Sequence, residues 1–341
     1  MSAGTIVSVH PEYAIPGGEL IIGTEGFDPA PNGGHACFIG GSAAHIVSAS
    51  STRVIVVVPP DIFGTLVPVQ LESRGRATND HAIVVGEEIV DDMHIVANPA
   101  VDPRDNSIVM TRSGTRGQQL EHTLYRLEAD GYLDEMPAEI VNPTAIAFDP
   151  NGELYVTNRS AGEVCRIERG EEVITFAAGL GVATGLAFGP DGSMYVGDRQ
   201  GTIYRIREFG NAERFAELDP SVAAYHLAFG PDERLYVSAP GLSSYDTIYA
   251  IDGGGRVEPF ARGFGRPQGL AFDVEGSLYA AACFQGRHGI VRIESGSGRI
   301  ETVVAGNEFV GLCFNLDGDL IAATGESLFA LPMNIKGLLL S

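Results

Sequence analysis

The sequence predicts an all-β chain: a small β-sandwich followed by a six-bladed β-propeller. Three observations carry that expectation. Glycine and proline number 44 and 19 among 341 residues, so turns are frequent and long helices disfavoured. From Thr5 to Val85, apolar residues recur at every second position in short segments broken by Gly, Pro and Asn, the pattern of half-buried antiparallel strands. Beyond Val85 one motif returns at a nearly constant step. Ala147 in "IAF", Ala187, Ala228 and Ala271 in "LAF", and Cys313 in "LCF" stand 40, 41, 43 and 42 residues apart.

The first region reads as seven strands, "TIVSVHP", "ELIIGTEGF", "HACFIGG", "AHIVSAS", "RVIVVVPP", "VPVQLES" and "HAIVVG", enough for a small sandwich over residues 1–88. The second, residues 92–341, reads as repeats of four strands. "GLAFGPDGSMYVGDRQGTIYRI" contains an inner strand, a "PDG" turn, a second strand "MYV" and a third "TIYRI"; less regular runs such as "RFAEL" or "VEPFA" supply the fourth. A divergent copy, "NPAVDPRDNSIVMTRSG", comes first and brings the number of blades to six. A single blade cannot bury both faces of its sheet, so each must offer apolar residues to its neighbours. Tyr155, Tyr195, Tyr236 and Tyr279 hold the same place in successive copies and read as interblade packing. The turns at Asn151, Asp191 and Asp317 read as hairpin signals only. Two segments could complete the last blade, "IKGLLLS" at the carboxyl end or "GEEIV" after the sandwich.

Charge narrows the partners. With 22 basic and 44 acidic side chains the formal net charge is −22, which repels phosphate backbones and anionic lipid, so neither nucleic acid nor membrane is expected. No apolar run is long enough to span a bilayer, and "MSAGTIVSVHPEYAIPGG" has no signal-peptide pattern. As written, the chain is expected to be cytoplasmic, or extracellular or periplasmic if its amino terminus is processed. Cys37, Cys165, Cys283 and Cys313 have no CxxC spacing and read as small buried hydrophobes. His10, His35, His45 and His81 fall in separate strands or turns with no ligand or triad spacing.

In a propeller, residues just before the inner strands and just after the second strands meet at one mouth of the central channel. The first set here is Asn98, Asn142 with Thr144, Thr184, Tyr225 with His226, Gln268 and Val310. The second includes Arg112, Asn158 with Arg159, Asp198 with Arg199, and Cys283. This mixed polar rim suits a small-molecule ligand on the upper face. His226 is the only histidine in the first set and Asp198 the only carboxylate in the second, so they are the candidate catalytic pair, a general base and its orienter. The bland reading has Asp198 tying down its own loop and His226 lining the channel. Arg112, Asn142, Thr144, Asn158, Arg159, Thr184, Arg199, Tyr225 and Gln268 are the candidate ligand-binding residues, and loop arginines Arg116, Arg266 and Arg287 suit an anionic ligand.

Two resemblances sharpen these expectations. "VSVHPEYAIPGGELIIGTEGF" and "CFIGGSAAHIVSASSTRVIVVVPP" resemble an IPT/TIG domain of immunoglobulin-like fold, which implies a spacer, docking or dimer-contact module without catalysis. "NPTAIAFDPNGELYVTNRSAGEVCRI", "GVATGLAFGPDGSMYVGDRQGTIYRI" and "GRPQGLAFDVEGSLYAAACFQGRHGIVRI" resemble the six-bladed superfamily that includes gluconolactonase and regucalcin, NHL repeats and strictosidine synthase, over Asp92 to Ser341. The gluconolactonase resemblance implies a divalent cation, usually calcium, held in the channel by a Glu, amides and an Asp, and used to open sugar lactones. Here "VANPAVDP" stands where that family has the Glu and "AAYHLAF" where it has the Asp, so Asn142, Asn158 and Asp198 are the residues left to hold a cation. Two functions follow: a lactone or ester hydrolase acting in the channel, or a non-catalytic module binding a small anion, glycan or protein with the first domain as spacer or docking arm. In a third, structural reading, the first domain mediates self-association.

Overall fold

The computed structural model describes residues 3–30, 34–114, 120–136, 140–168, 172–243 and 245–338. The chain is all-β. Its first nine strands are β1 (Thr5–His10), β2 (Tyr13–Ala14), β3 (Glu19–Glu25), β4 (His35–Ile39), β5 (Ser42–Ala49), β6 (Arg53–Val57), β7 (Thr65–Ser73), β8 (Arg76–Ala77) and β9 (His81–Val85). β3 alternates as the sequence predicts, with Leu20, Ile22 and Thr24 inward, and pairs antiparallel with β1 and β6. β4, β7 and β9 form the other antiparallel run, and β5 pairs with both β4 and β6. Leu20, Ile22, Ile39, Val54, Val56 and Leu71 belong to the single apolar core between these strands.

The remaining strands follow the propeller repeat. β10 (Glu87–Val90) comes first, then β11 (Ala100–Val101), β12 (Ile108–Thr111), β13 (Leu124–Leu127) and β14 (Leu133–Met136) as one four-stranded sheet. β15 (Pro143–Phe148), β16 (Leu154–Asn158), β17 (Glu163–Ile167) and β18 (Val173–Ala178) make the next. β19 (Ala183–Phe188), β20 (Met194–Asp198), β21 (Thr202–Glu208) and β22 (Asn211–Glu217) make a third. β23 (His226–Phe229), β24 (Leu235–Ser238), β25 (Asp246–Ile251) and β26 (Val257–Gly265) pair in antiparallel succession, as do β27 (Leu270–Phe272), β28 (Leu278–Phe284), β29 (Arg287–Ile293) and β30 (Ile300–Ala305). β31 (Phe309–Phe314), β32 (Leu320–Thr324) and β33 (Leu328–Leu331) complete the chain and form a sheet with β10.

The propeller-like arrangement is therefore present, but its hydrogen bonding differs from the expectation of six separate sheets. Four four-stranded sheets stand alone, whereas β23–β30 lie in one 17-stranded network with β1–β9. Two links cause the merger. β26 runs on past its partner to pair with β28, and β2 inserts in parallel between β9 and β30, matching Tyr13 with Val84 and Val304. The expected break between two units is thus crossed by a continuous sheet, reinforced by the Ile15 N–H donating to Ala305 O and by an Arg287–Glu19 ion pair at 3.0 Å.

The inner strands touch in sequence, β11 to β15, β19, β23, β27 and β31, and β31 returns to β11. The repeated tyrosines lie between successive groups. Tyr155, Tyr195, Tyr236 and Tyr279 meet Phe188, Phe229, Phe272 and Phe314 of the next group edge-on, with centroids 4.8–5.1 Å apart. The edge of one ring directed at the face of another is the favoured arrangement of aromatic quadrupoles. The middle residues of the "xAF" triplets face the channel, where Ala147, Ala187, Ala228, Ala271 and Cys313 line an apolar cavity of about 170 Å³. The carboxyl-terminal segment crosses the lower end of that cavity: Val274 N–H donates to Lys336 O, Leu338 N–H to Phe272 O, and Gly337 and Leu338 line the cavity themselves.

The last sheet is completed by "GEEIV": Glu87, Glu88 and Val90 pair with Ala330, Phe329 and Leu328. The other candidate, "IKGLLLS", runs beneath the channel over residues 335–338, and 339–341 lie outside the described residues. A chain beginning at Glu87 should keep this sheet, whereas one beginning at Asp92 leaves the β33 edge unpaired and uncovers the apolar cluster containing Val90. Thermal unfolding of the two should show the second melting lower, by the roughly 2 kcal/mol or more that one buried apolar side chain and its strand pairing contribute; equal midpoints would mean that β10 does not close the sheet.

No helix among the described residues is long and apolar enough to cross a membrane.

Candidate ligand-binding site

The register explains which residues reach the channel mouth. Two positions before the channel-lining Ala147, Ala187, Ala228, Ala271 and Cys313 stand Ala145, Gly185, His226, Gly269 and Gly311. Side chains two apart in a strand share a face, so these residues form the next level up. Asn98 holds the matching place ahead of Ala100 in the first sheet. Its side chain reaches across the ring: Nδ2 donates to Leu270 O at 2.9 Å and Oδ1 accepts from Leu312 N–H at 3.1 Å. That reach accounts for the two glycines beneath it, because a Cβ at Gly269 would lie 2.1 Å from Asn98 Oδ1 and one at Gly311 2.6 Å from Asn98 Cα. Asn98 is a spoke, satisfied on both sides by backbone.

Most of the predicted polar rim is engaged in the same manner. Thr184 Oγ1 accepts from Tyr225 N–H at 3.1 Å, joining the third group to the fourth, and the Tyr225 hydroxyl donates to Asp219 O. Burial pushes the Tyr225 phenol far above its usual range, so it stays protonated. Gln268 Nε2 donates to Phe309 O at 3.2 Å and Ser238 Oγ to Gln268 O at 2.6 Å. The Arg199 guanidinium donates to the carbonyls of Ser221 and Val222 at 3.4 Å each. Arg112 leans on the Tyr125 hydroxyl at 3.4 Å and on Asp92 at 3.8 Å. Arg159 is half-buried, with no side-chain partner among the described residues. Arg116 falls outside them.

Asp198 behaves as a loop anchor. It is buried, and its Oδ1 accepts from Val182 N–H at 2.8 Å and Gln200 N–H at 3.1 Å, while a Cβ at Gly181 would sit 2.3 Å from Oδ2. His226 is buried too, at 4% exposure, and its Nε2 has no hydrogen-bond partner. Burial lowers its pKa from 6.5 to about 4, so at neutral pH the ring is uncharged. The pairing that would make Asp198 the orienter of His226 is absent: the carboxylate's hydrogen bonds go to its own loops, and no carboxylate raises the imidazole's pKa. Thr144 Oγ1 is likewise buried and without a partner.

The cation expected from the gluconolactonase resemblance does not fit these residues. Asn142 Nδ2 donates to Ser160 Oγ at 3.0 Å, Asn158 Oδ1 accepts from Ala161 N–H at 3.4 Å, and Asp198 Oδ1 already receives two N–H groups. Each of the three serves its own loop, and calcium requires six to eight converging oxygens. Among the described residues no cluster of three or more His, Cys, Asp or Glu side chains could hold a metal ion.

The sequence named Arg266, Gln268 and Cys283 individually but not the cavity they share with His288 and Glu308. A second cavity of about 310 Å³ opens between β28–β29 and the segment leading into β31, lined by Arg266, Gln268, Cys283, His288 and Glu308. Among the described residues, Arg266 and Glu308 make no side-chain hydrogen bond or ion pair. Both stand in the left-handed region, at φ 46° and 60°, as does Asn142 at the corresponding turn. Asn tolerates that conformation, whereas long side chains adopt it at a cost of order 1 kcal/mol. The signal was the match of Arg266 and Glu308 to Asn142 in the repeat, where a turn-former is replaced by a charge.

No protein-family model and no curated protein matches the sequence. Solved structures do. An auxiliary nutrient binding protein from Bacteroides thetaiotaomicron is 13% identical, with a TM-score of 0.55, over 97% of this chain and 98% of its own. A gluconolactonase from Xanthomonas campestris is 20% identical with a TM-score of 0.58, covering 72% of this chain and 88% of its own. A catalytically inactive histidine-to-alanine variant of virginiamycin B lyase from Staphylococcus aureus, with quinupristin, is 16% identical with a TM-score of 0.54, over 88% and 96%. At these identities the likeness is one of fold alone, an all-β chain with a propeller-like arrangement.

Proposed function

We propose that this protein is a non-catalytic small-molecule binding propeller that takes its ligand on the upper face. In this reading β23–β26 and β27–β30 count as the fourth and fifth of six blades, and the strands before Val85 form an immunoglobulin-like domain of IPT/TIG type. The observation that carries it is the engagement of Asn98, Thr184, Asp198 and Gln268 with backbone groups, which leaves a channel hydrolase neither a metal cradle nor an oriented base. Likeness over 97% of this chain to a nutrient binding protein supports it, against 88% for the virginiamycin lyase and 72% for the gluconolactonase.

A hydrolase reading keeps one observation in its favour: His226 Nε2 and Thr144 Oγ1 are buried without partners, as groups awaiting a substrate would be. One experiment separates the two. Sugars, lactones, amino acids and small anions are screened for stabilisation of the folded protein, and each hit is then followed by NMR of the ligand itself. Saturable stabilisation with the ligand unchanged is expected; conversion of the ligand, lost in His226→Ala, would contradict the proposal.

A further inference from the structure

We propose that the cavity bounded by Arg266 and Glu308 binds a free α-amino acid with a small apolar side chain, the guanidinium taking its carboxylate and the Glu308 carboxylate its ammonium group. This rests on the binding reading above and names the ligand class. The two opposite charges line one cavity yet form no ion pair with each other or with any described residue. Arg266 and Glu308 are both exposed at the cavity's edge, and opposite charges left unpaired there are complementary to a ligand that carries both. The rest of the lining includes apolar Ala282, Phe309 and Val310 beside Gln268 and His288. The volume, about 310 Å³, lies at the small end of ligand pockets.

The amino-terminal strands have a part in this site. Glu19 holds Arg287, the neighbour of His288, and Gly17 O accepts from Asn307 Nδ2 at 3.0 Å, the neighbour of Glu308. Gly17, and Glu19 at the start of β3, thus hold the residues next to Glu308 and His288, which makes Glu19 a positioning residue.

The full chain is titrated calorimetrically with L-leucine, N-acetyl-L-leucine and L-leucinamide. Saturable binding of L-leucine is expected, at least tenfold weaker for each blocked derivative. Arg266→Gln should weaken L-leucine at least tenfold and abolish its advantage over the amide; Glu308→Gln should abolish its advantage over the N-acetyl derivative. Alkylation of Cys283 gives a second readout, because it lines the cavity while burial raises the other three thiols, Cys37 to about 12 and Cys165 to about 11. L-leucine should slow that alkylation, and less so in Glu19→Gln, whose melting temperature should stay near that of the parent. Equal binding of all three leucine compounds, or no saturable heat with any of the common amino acids, would overturn the proposal. If a sugar or anion from the earlier screen still binds, the amino-acid assignment falls alone; if nothing binds, the binding reading falls with it.

Discussion

Replacing Tyr236 with alanine should cost about 3–5 kcal/mol of folding stability, the usual loss on truncating a large buried aromatic ring. Tyr236 is buried between Phe260 and Phe272, with both centroids at 4.8 Å and both rings edge-on. Phe272 belongs to the next group of strands, so the truncation opens a gap at the seam rather than within one sheet. The hydroxyl adds less. It donates to Asp232 Oδ2 at 2.9 Å and accepts from Arg234 at 2.8 Å, so Tyr236→Phe should lose about 1 kcal/mol. Chemical denaturation of the three proteins checks this, and a Tyr236→Ala loss no larger than that of Tyr236→Phe would show that the ring does not lock the seam.

Acid should weaken the fold through His226. Its pKa is depressed in the folded state, from 6.5 to about 4, so below pH 6.5 the unfolded chain takes up a proton that the folded chain refuses until about pH 4. Stability from this residue is intact above pH 6.5, declines through that window and is level below it. The full effect is about 3 kcal/mol, of which about 1 is lost by pH 5.5. His226→Leu should remove this component while retaining the carboxylate titrations common to both proteins. Denaturation midpoints at pH 7.0 and 5.5 should therefore converge in the variant, and an unchanged slope would mean that the imidazole is hydrated in the folded state.

The periodic parts of the fold were legible because their physics is local. The "xAF" triplets announce inner strands through small channel-facing residues, and the tyrosines announce seams through their spacing. The merger of eight of these strands with the amino-terminal sheet was not legible, because β2 is two residues long and pairs with β30 about 290 positions away. Spacing cannot reveal a contact made by so short a strand. Nor could it choose between "GEEIV" and "IKGLLLS", since each is a short segment mixing apolar and charged residues and neither carries a pairing signal for the last sheet.

The sequence misled on the roles of the candidate site residues. Asp198 and His226 are both buried, and Asn98, Thr184 and Gln268 each bond to the backbone of another group of strands. Composition could not say that Asn98, Thr184 and Gln268 would be satisfied by backbone across the seams. It could not show either that Asp198 would be saturated by its own loops. Those outcomes depend on how closely neighbouring strands approach, which glycines at Gly181, Gly269 and Gly311 permit.

The central claim is that the upper-face polar groups staple the ring instead of holding a catalytic cation. Hydrolysis of a panel of sugar lactones by the purified protein, measured with calcium and with a chelator, tests it most directly. The account predicts no rate above the uncatalysed background in either condition. Calcium-dependent turnover that disappears in Asp198→Asn while the fold persists would contradict it.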